Sequence, residues 1–276
     1  MSRQQRAEIA RQTDEIVRDG RYVTRTGVEV DIADAIRGAI RGTLLYQPDQ
    51  LDDQHPPGTG TTRIEVTDES TLAAARRMAE AGRDPVACLN FASARKPGGG
   101  YRSGAHAQEE SLARSSALVA SLFAAAGFYE FHNTHRDPRY SDRIIYSPGV
   151  PVFRDDAGGL LSRPYHVAFL SAAAPNLSAM TDPAQRAEVP AILSRRAGKV
   201  LAVARRHGHR RLVLGAWGCG VFGNDPSTVA GAFAGLLLPG GPFADTFDHI
   251  VFAIMDHDPM PGGAFRMAFA PAIPRY

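Results

Sequence analysis

Cysteine is scarce in this chain. Its 276 residues include two, Cys88 and Cys219, far apart and each set in an apolar or glycine-rich run. That excludes a zinc ribbon or a redox pair and leaves two reduced thiols. Excess charge of either sign is missing too: 31 Lys and Arg stand against 29 Asp and Glu, a formal net charge of +2. Nucleic acid or an anionic membrane is therefore not captured by the surface as a whole, and any anionic ligand must be met locally. Nor is there an uninterrupted apolar run of about 18 residues to span a bilayer. Met1 to Gly20 is polar and charged, without the apolar stretch of a secretion signal, so the expected location is cytoplasmic, with no membrane partner.

The rest of the composition is ordinary. With 44% hydrophobic and 22% charged side chains, disordered, collagen-like and coiled-coil chains are excluded, and the length suits one large or two small domains. Glycine and proline are in surplus, at 27 and 19 residues, against average usage of about 7% and 5%. The glycines cluster in two loops.

Apolar residues at helical spacing between residues 3 and 19, closed by Gly20, predict a helix. Alternation from Tyr22 to Ile32 around Thr26-Gly27 predicts a hairpin. A short helix over Asp34 to Arg41 and a Pro- and Gly-rich loop from Gln47 to Gly60 complete a segment, 1–60, that reads as an accessory cap. From Thr61 the pattern becomes regular: strand (TRIEVT), helix with Ser70 as N-cap, buried strand (PVACLNFAS). One long helix is expected over QEESLARSSALVASLFAAAG, then strands RIIYSP, VPVF and YHVAFLSAAA. A helix over residues 183–207, strand RRLVLGAW, helix DPSTVAGAFAGLLL and strand HIVFAIMD follow. Strands alternating with helices imply crossover connections and a largely parallel sheet between helical layers, an α/β protein. Ligands of such sheets bind beyond the carboxyl ends of the strands. The loops after PVACLNFAS and RRLVLGAW are both glycine-rich.

The first loop runs from Asn90 through Lys96-Pro97 to Gly98-Gly99-Gly100, followed after seven residues by Gln108-Glu109-Glu110 at a helix start. Three ordered glycines cost backbone entropy and suit positive φ or close approach of a ligand, although a plain flexible linker uses glycine as well. Carboxylates in a first helical turn are favoured by the helix dipole without any chemistry. Beside a strand-end glycine loop, however, two adjacent carboxylates can share a cleft and differ in protonation. The second loop, Gly215 to Asn224, precedes a helix for which Pro226 suits N1 and Asn224 or Asp225 the N-cap. Gly218 to Gly223 formally matches G-x-G-x-x-G, but it lies late in the chain, and the acidic residues after it, Asp245 and Asp248, come before the next strand rather than at its end, which argues against a nicotinamide dinucleotide. What remains is the capacity of amide N–H groups at a helix start to hold a diphosphate without positive side chains.

The pattern G-G-G-x7-Q-E-E, preceded by N-F-A-S and followed by SLARSSAL, with GAWGCGVFGN later, resembles the bacterial type of poly(ADP-ribose) glycohydrolase, a macrodomain enzyme. The resemblance implies a macrodomain, with a mixed, mostly parallel sheet between helices, over residues 61–276. It also implies that 1–60 form a mainly helical extension packed as one unit with it. It further implies that Glu110 is the catalytic acid, Glu109 holds ribose hydroxyls and Gln108 supports the pair. Asn90 and Gly98, Gly99 and Gly100 would take the terminal ribose and diphosphate. Gly218, Cys219, Gly220, Val221 and Phe222 would cradle the diphosphate, with the Phe222 ring against the distal ribose. No metal or cofactor is implied, and the protein is expected to act as a monomer. The spacer Tyr101 to Ala107, including His106, carries no assignment, and neither does an adenine platform.

Cleavage of the ribose–ribose O-glycosidic bond passes through an oxocarbenium-like state and needs a proton on the departing oxygen. Glu110 must carry that proton at a helix N-terminus, so burial, Glu109 and the bound diphosphate have to favour it together. Other candidates weigh less. His132 and His135 with Asp137 and Asp142, and Asp256-His257-Asp258, have no ligand spacing with a third partner. Cys219 lacks a base. Trp217, Phe265, Phe269 and Tyr276 read as packing aromatics, and the basic run Arg205 to Arg211 as a solvated face. Two alternatives stay open: hydrolysis of ADP-ribose linked to DNA bases or protein side chains, and a non-catalytic ADP-ribose-binding module, for which the acidic pair would have no use.

Overall fold

The computed structural model describes residues 1–50, 58, 60–82, 84–255 and 259–272. Asp256-His257-Asp258, Tyr276 and most of the loop expected between Gln47 and Gly60 lie outside them. The elements in chain order are α1 (Arg3–Asp19), β1 (Arg21–Val23), β2 (Glu29–Asp31), α2 (Ala33–Gly42), β3 (Leu44–Tyr46), β4 (Arg63–Thr67), α3 (Thr71–Ala81) and β5 (Val86–Phe91). Next come α4 (Gln108–Ser115), α5 (Leu118–Ala124), α6 (Ala126–Thr134), β6 (Ile144–Arg154), β7 (Leu160–Ala172), α7 (Pro183–Ala187) and α8 (Val189–Arg206). The last are β8 (Arg211–Leu214), α9 (Pro226–Leu237), β9 (His249–Ala253) and α10 (Pro259–Phe269).

Seven strands form one mixed sheet in the order β3-β6-β7-β5-β8-β9-β4. The five from β7 to β4 are parallel to one another, and β6 and β3 join antiparallel at one edge. Successive side chains of β5 alternate between two cores: Ala87 and Leu89 face the layer of α8, α9 and α10, and Val86 and Cys88 face that of α2, α3 and α5. The later strands divide around β5, with β6 and β7 on one side and β8 and β9 on the other. The carboxyl ends of β5 and β8 therefore flank a topological switch point, where open α/β sheets bind ligands.

The first sixty residues supply more than helix. β1 and β2 form the expected hairpin, and β3 pairs with β6, Leu44 opposite Tyr146. α1 is capped by Ser2 and ends at Gly20 with φ 72°, as its sequence leads one to expect.

Three segments differ from the sequence pattern. The long helix after the first loop is broken at Ser116, extended at φ −146° and ψ 173°. There the chain turns to β6: Ala117 N donates to Pro151 O at 3.1 Å, and the Ser116 hydroxyl donates to Leu112 O while accepting from Leu118 N. Hydrogen bonds to a strand distant in sequence have replaced helical ones, overriding good local helix propensity. RIIYSP and VPVF are one strand, β6, whose register with β7 shifts between Ser147 and Val150, with Gly149 at φ 55°. The helix over 183–207 is two, because Pro190 lacks an N–H and sits in the first turn of α8. α10 is an addition: its Pro261-Gly262-Gly263 reads as a breaker, but Phe265 and Phe269 are fully buried against Phe252, ring centroids 5.1 and 4.6 Å away. Among the described residues, no helix is long and apolar enough to cross a membrane.

Candidate active site

The first turn of α4 is bolted to the end of β5. Gln108 Oε1 accepts from Phe91 N (2.9 Å), and its Nε2 donates to Leu89 O (2.7 Å) and to Thr71 Oγ1 at the start of α3. Its amide is thus spent on positioning, and the acidic pair that follows is carried to the switch point. Glu110 bridges two backbone amides: Oε1 accepts from Gly100 N at 2.9 Å and Oε2 from Ala107 N, its own N-cap, at 3.1 Å. Glu109 is 4% exposed. It accepts from Ser93 N (2.7 Å) and lies 3.5 Å from the Asn90 amide nitrogen. Asn90 is fully buried; its nitrogen donates to Ser171 Oγ, and its Oδ1 has no partner. A buried, unpaired carbonyl oxygen beside the Glu109 carboxyl is a costly arrangement that a ligand hydroxyl would relieve.

The carboxyl that burial pushes up is that of Glu109, to about 8, with the neighbouring charge of Glu110 adding to the effect and Ser93 N–H opposing it. Near neutral pH this side chain holds its proton. Folding raises the group, so the native state keeps a proton that the unfolded chain loses above about 4.5. The corresponding stability is complete below that pH and is lost as pH rises to about 8. Urea unfolding should show the native protein losing roughly 5 kcal/mol across that window relative to Glu109→Gln. Parallel pH dependences in the two proteins would contradict the buried, protonated carboxyl.

The glycine triple closes over this pair. Gly98 and Gly99 have φ 73° and 60°, which glycine alone adopts cheaply. A Cβ on Gly99 would strike Glu110 Oε1 and lie 3.1 Å from Glu109 Oε2; on Gly98 it would lie 2.8 Å from Val119. In the second loop Gly218, at φ 77°, packs on Ala174 and Asn224. Asn224, buried, ties the loop shut through Pro175 O and Gly218 O, and Asp225 caps α9. Among the described residues, the amides of Gly218, Gly220, Val221 and Phe222 have no hydrogen-bond partner, a set of free donors suited to an anion. Phe222 packs against Tyr140, centroids 5.9 Å apart, and Tyr140 is itself held at φ 55°.

A cleft of about 920 Å³ runs along the carboxyl ends of β4, β5, β8 and β9. Gln108, Cys219 and Gly220 line it, with Phe91, Asp68 and Met255. Glu109, Glu110, Asn90 and the three glycines form a group joined to this wall through Gln108 and Ala107. Val221, 84% exposed, stands at the rim. The Cys219 thiol is pushed up by burial to about 12, which removes it as a thiolate nucleophile.

Residues weighed as metal ligands are engaged elsewhere. His132 is buried between Phe128 O and Ser141, with its pKa lowered by burial to about 4, and Asp137 and Asp142 pair with Arg139 and with Arg195 and Arg196. Among the described residues, no group of three His, Cys, Asp or Glu is placed to hold a metal ion. Trp217 is core, its Nε1 donating to Ala172 O at 3.0 Å. The basic run at 205–211 leads into the amino end of β8, opposite the cleft, where Arg210 pairs with Asp248.

A family model described as the catalytic domain of microbial-type PARG, poly(ADP-ribose) glycohydrolase, matches residues 10–155. The chain belongs to that family. The PARG from Thermomonospora curvata, solved with the inhibitor ADP-HPD, is 59% identical over 96% of this chain and 100% of that one, with a TM-score of 0.92. The PARG from Deinococcus radiodurans in complex with ADP-ribose is 43% identical over 86% of this chain and 97% of that one, with a TM-score of 0.81. No curated protein matches the chain. Membership of the PARG family makes it a glycosidase on a macrodomain-like fold. Sequence reasoning did not reach Tyr140, Ser93 or Ser171 as parts of the site. Their roles depend on backbone strain and on pairings across the sheet, which leave no local pattern.

Proposed function

We propose that this protein hydrolyses poly(ADP-ribose) to ADP-ribose, with Glu110 as general acid and then general base. The observation that carries the residue assignment is the Glu110 carboxyl, held between Gly100 N and Ala107 N beside the protonated, buried Glu109. The terminal diphosphate takes the free amides of Gly218, Gly220, Val221 and Phe222. The distal ribose lies under the Gly98–Gly100 turn, against Phe222, with a hydroxyl on Asn90 Oδ1 and another on Glu109. Glu110 then gives its proton to the departing ribose oxygen as the glycosidic bond breaks. The bound diphosphate both favours that proton and stabilises the positive charge developing on the sugar, a role that needs no lysine. Left ionised, Glu110 takes a proton from the water that completes hydrolysis, as in other two-stage glycosidases.

The test is a comparison of poly(ADP-ribose), ADP-ribosylated DNA and mono-ADP-ribosylated protein as substrates, scoring free ADP-ribose. Release from the polymer is the expected result. Release from the other two alone would transfer the same site to a different acceptor, and release from none would leave a binding module.

A further inference from the structure

Beyond Glu110, the same helix carries a charge that the proposed chemistry leaves unused. Arg114, one turn along α4, is 4% exposed, yet its guanidinium has no carboxylate partner among the described residues. It donates to Ala105 O (2.6 Å) and to His106 Nδ1 (3.2 Å), with Ser111 Oγ at 3.5 Å. Arg6 of α1, half-buried and also without an acid partner, donates to Gly104 O (2.8 Å) and Met1 O (2.7 Å). The two like charges oppose each other: burial first, then Arg6, lowers the pKa of Arg114. Partly buried cations with no ion-paired carboxylate are unfavourable in a folded chain, and an anionic ligand would relieve them.

Their placement says what that is. Arg114 and His106 line the same cleft as Cys219 and Gly220, with Gln108 between the two ends. Accepting from Arg114 at Nδ1, His106 carries its proton on Nε2, a further donor. Asp68, Glu69, Asp155 and Asp156 also line the cleft, where Asp155 accepts from Gly159 N, Asp156 from Ser70 Oγ and Glu69 from Arg77. Glu110 accepts from Ala107 N, the residue after His106, and lies one turn before Arg114 on α4, which puts the cluster next to the reacting bond. The cleft volume of about 920 Å³ is near the top of the roughly 300–1,000 Å³ range of small-molecule sites. A polymer of ADP-ribose has one diphosphate on each side of the bond being cut.

We propose that Arg114 and His106, backed by the charge of Arg6 behind the Gly104 turn, form a second anion subsite, which holds the diphosphate of the ADP-ribose unit on the leaving side of that bond. This rests on the reading of the protein as a poly(ADP-ribose) hydrolase. Because Arg114 also props the 104–107 loop, the test uses the more accessible residues. His106→Ala and Arg6→Gln should each raise KM for long polymer by about 3- to 10-fold. Neither should change kcat appreciably or the Kd for free ADP-ribose, which occupies the glycine-loop end alone. Arg6→Lys, which keeps the charge, should recover most of the loss. An unchanged polymer KM in the double variant would overturn the subsite, as would a Kd for ADP-ribose rising in step with it. A fall in kcat alone would reduce the cluster to loop support. Failure of the unsubstituted protein to release ADP-ribose from polymer would instead remove the hydrolase reading, and the subsite with it.

Discussion

Glu110→Gln should lower the turnover of poly(ADP-ribose) by at least ~10²-fold and by as much as ~10⁴-fold, the range that general acid catalysis supplies. Glutamine is the informative replacement because it keeps the shape. Its carbonyl can still accept from Gly100 N, and only the contact with Ala107 N, where an amide donor would meet another donor, is lost. That contact is a single helix cap, worth roughly 1 kcal/mol, so the variant should fold and bind ADP-ribose within a few-fold of the parent. Turnover is measured as ADP-ribose released and affinity by calorimetry. Loss of both in parallel would mean that Glu110 serves binding rather than proton transfer. Unchanged turnover would move the acid role to another group, with Glu109 as the first candidate because it already holds a proton near neutral pH.

Gly99→Val should be comparably damaging, for a reason found inside the protein. The sequence alone suggests a collision between the new side chain and the ligand. In the structure the first atoms met are those of the acidic pair: a Cβ at Gly99 overlaps Glu110 Oε1 and approaches Glu109 Oε2 to 3.1 Å. Either the carboxyls leave their amide partners or the loop lifts, and both outcomes separate the acid from the ribose. The φ of 60° adds about 1–2 kcal/mol of left-handed strain. Turnover should fall ~10²-fold or more, as for loss of the acid, with weaker ADP-ribose binding and a lowered unfolding midpoint. A folded variant with normal affinity and turnover would show that the glycine triple is a linker and that the closure over Glu110 is immaterial.

The two loops illustrate how a shortage of net charge fits an anionic substrate. Where Gly218, Gly220, Val221 and Phe222 offer unpaired amides, no cationic side chain is needed to hold a diphosphate. An anion held in this way favours a proton on a carboxyl nearby.

Several features were settled by the sequence. The strand–helix alternation from Thr61 onward, with Ser70 and Gly20 as helix boundaries, follows from hydrophobic period and capping chemistry, both local properties. The glycine loops and the Gln108-Glu109-Glu110 triplet could be read off because backbone freedom and acidic helix starts are written in single residues. Tertiary structure decided what depends on partners distant in the chain. A strongly helical segment breaks at Ser116 because Pro151 O competes for the backbone N–H of Ala117. β3 leaves the N-terminal segment to pair with β6, and α10 forms across Pro261-Gly262-Gly263 because Phe265 and Phe269 gain burial against Phe252. The difference in environment between Glu109 and Glu110 is of the same kind. They are adjacent, chemically identical residues, and only the burial of one beneath Ser93 and Asn90 tells them apart, since the solvation of a carboxyl is a property of everything packed around it.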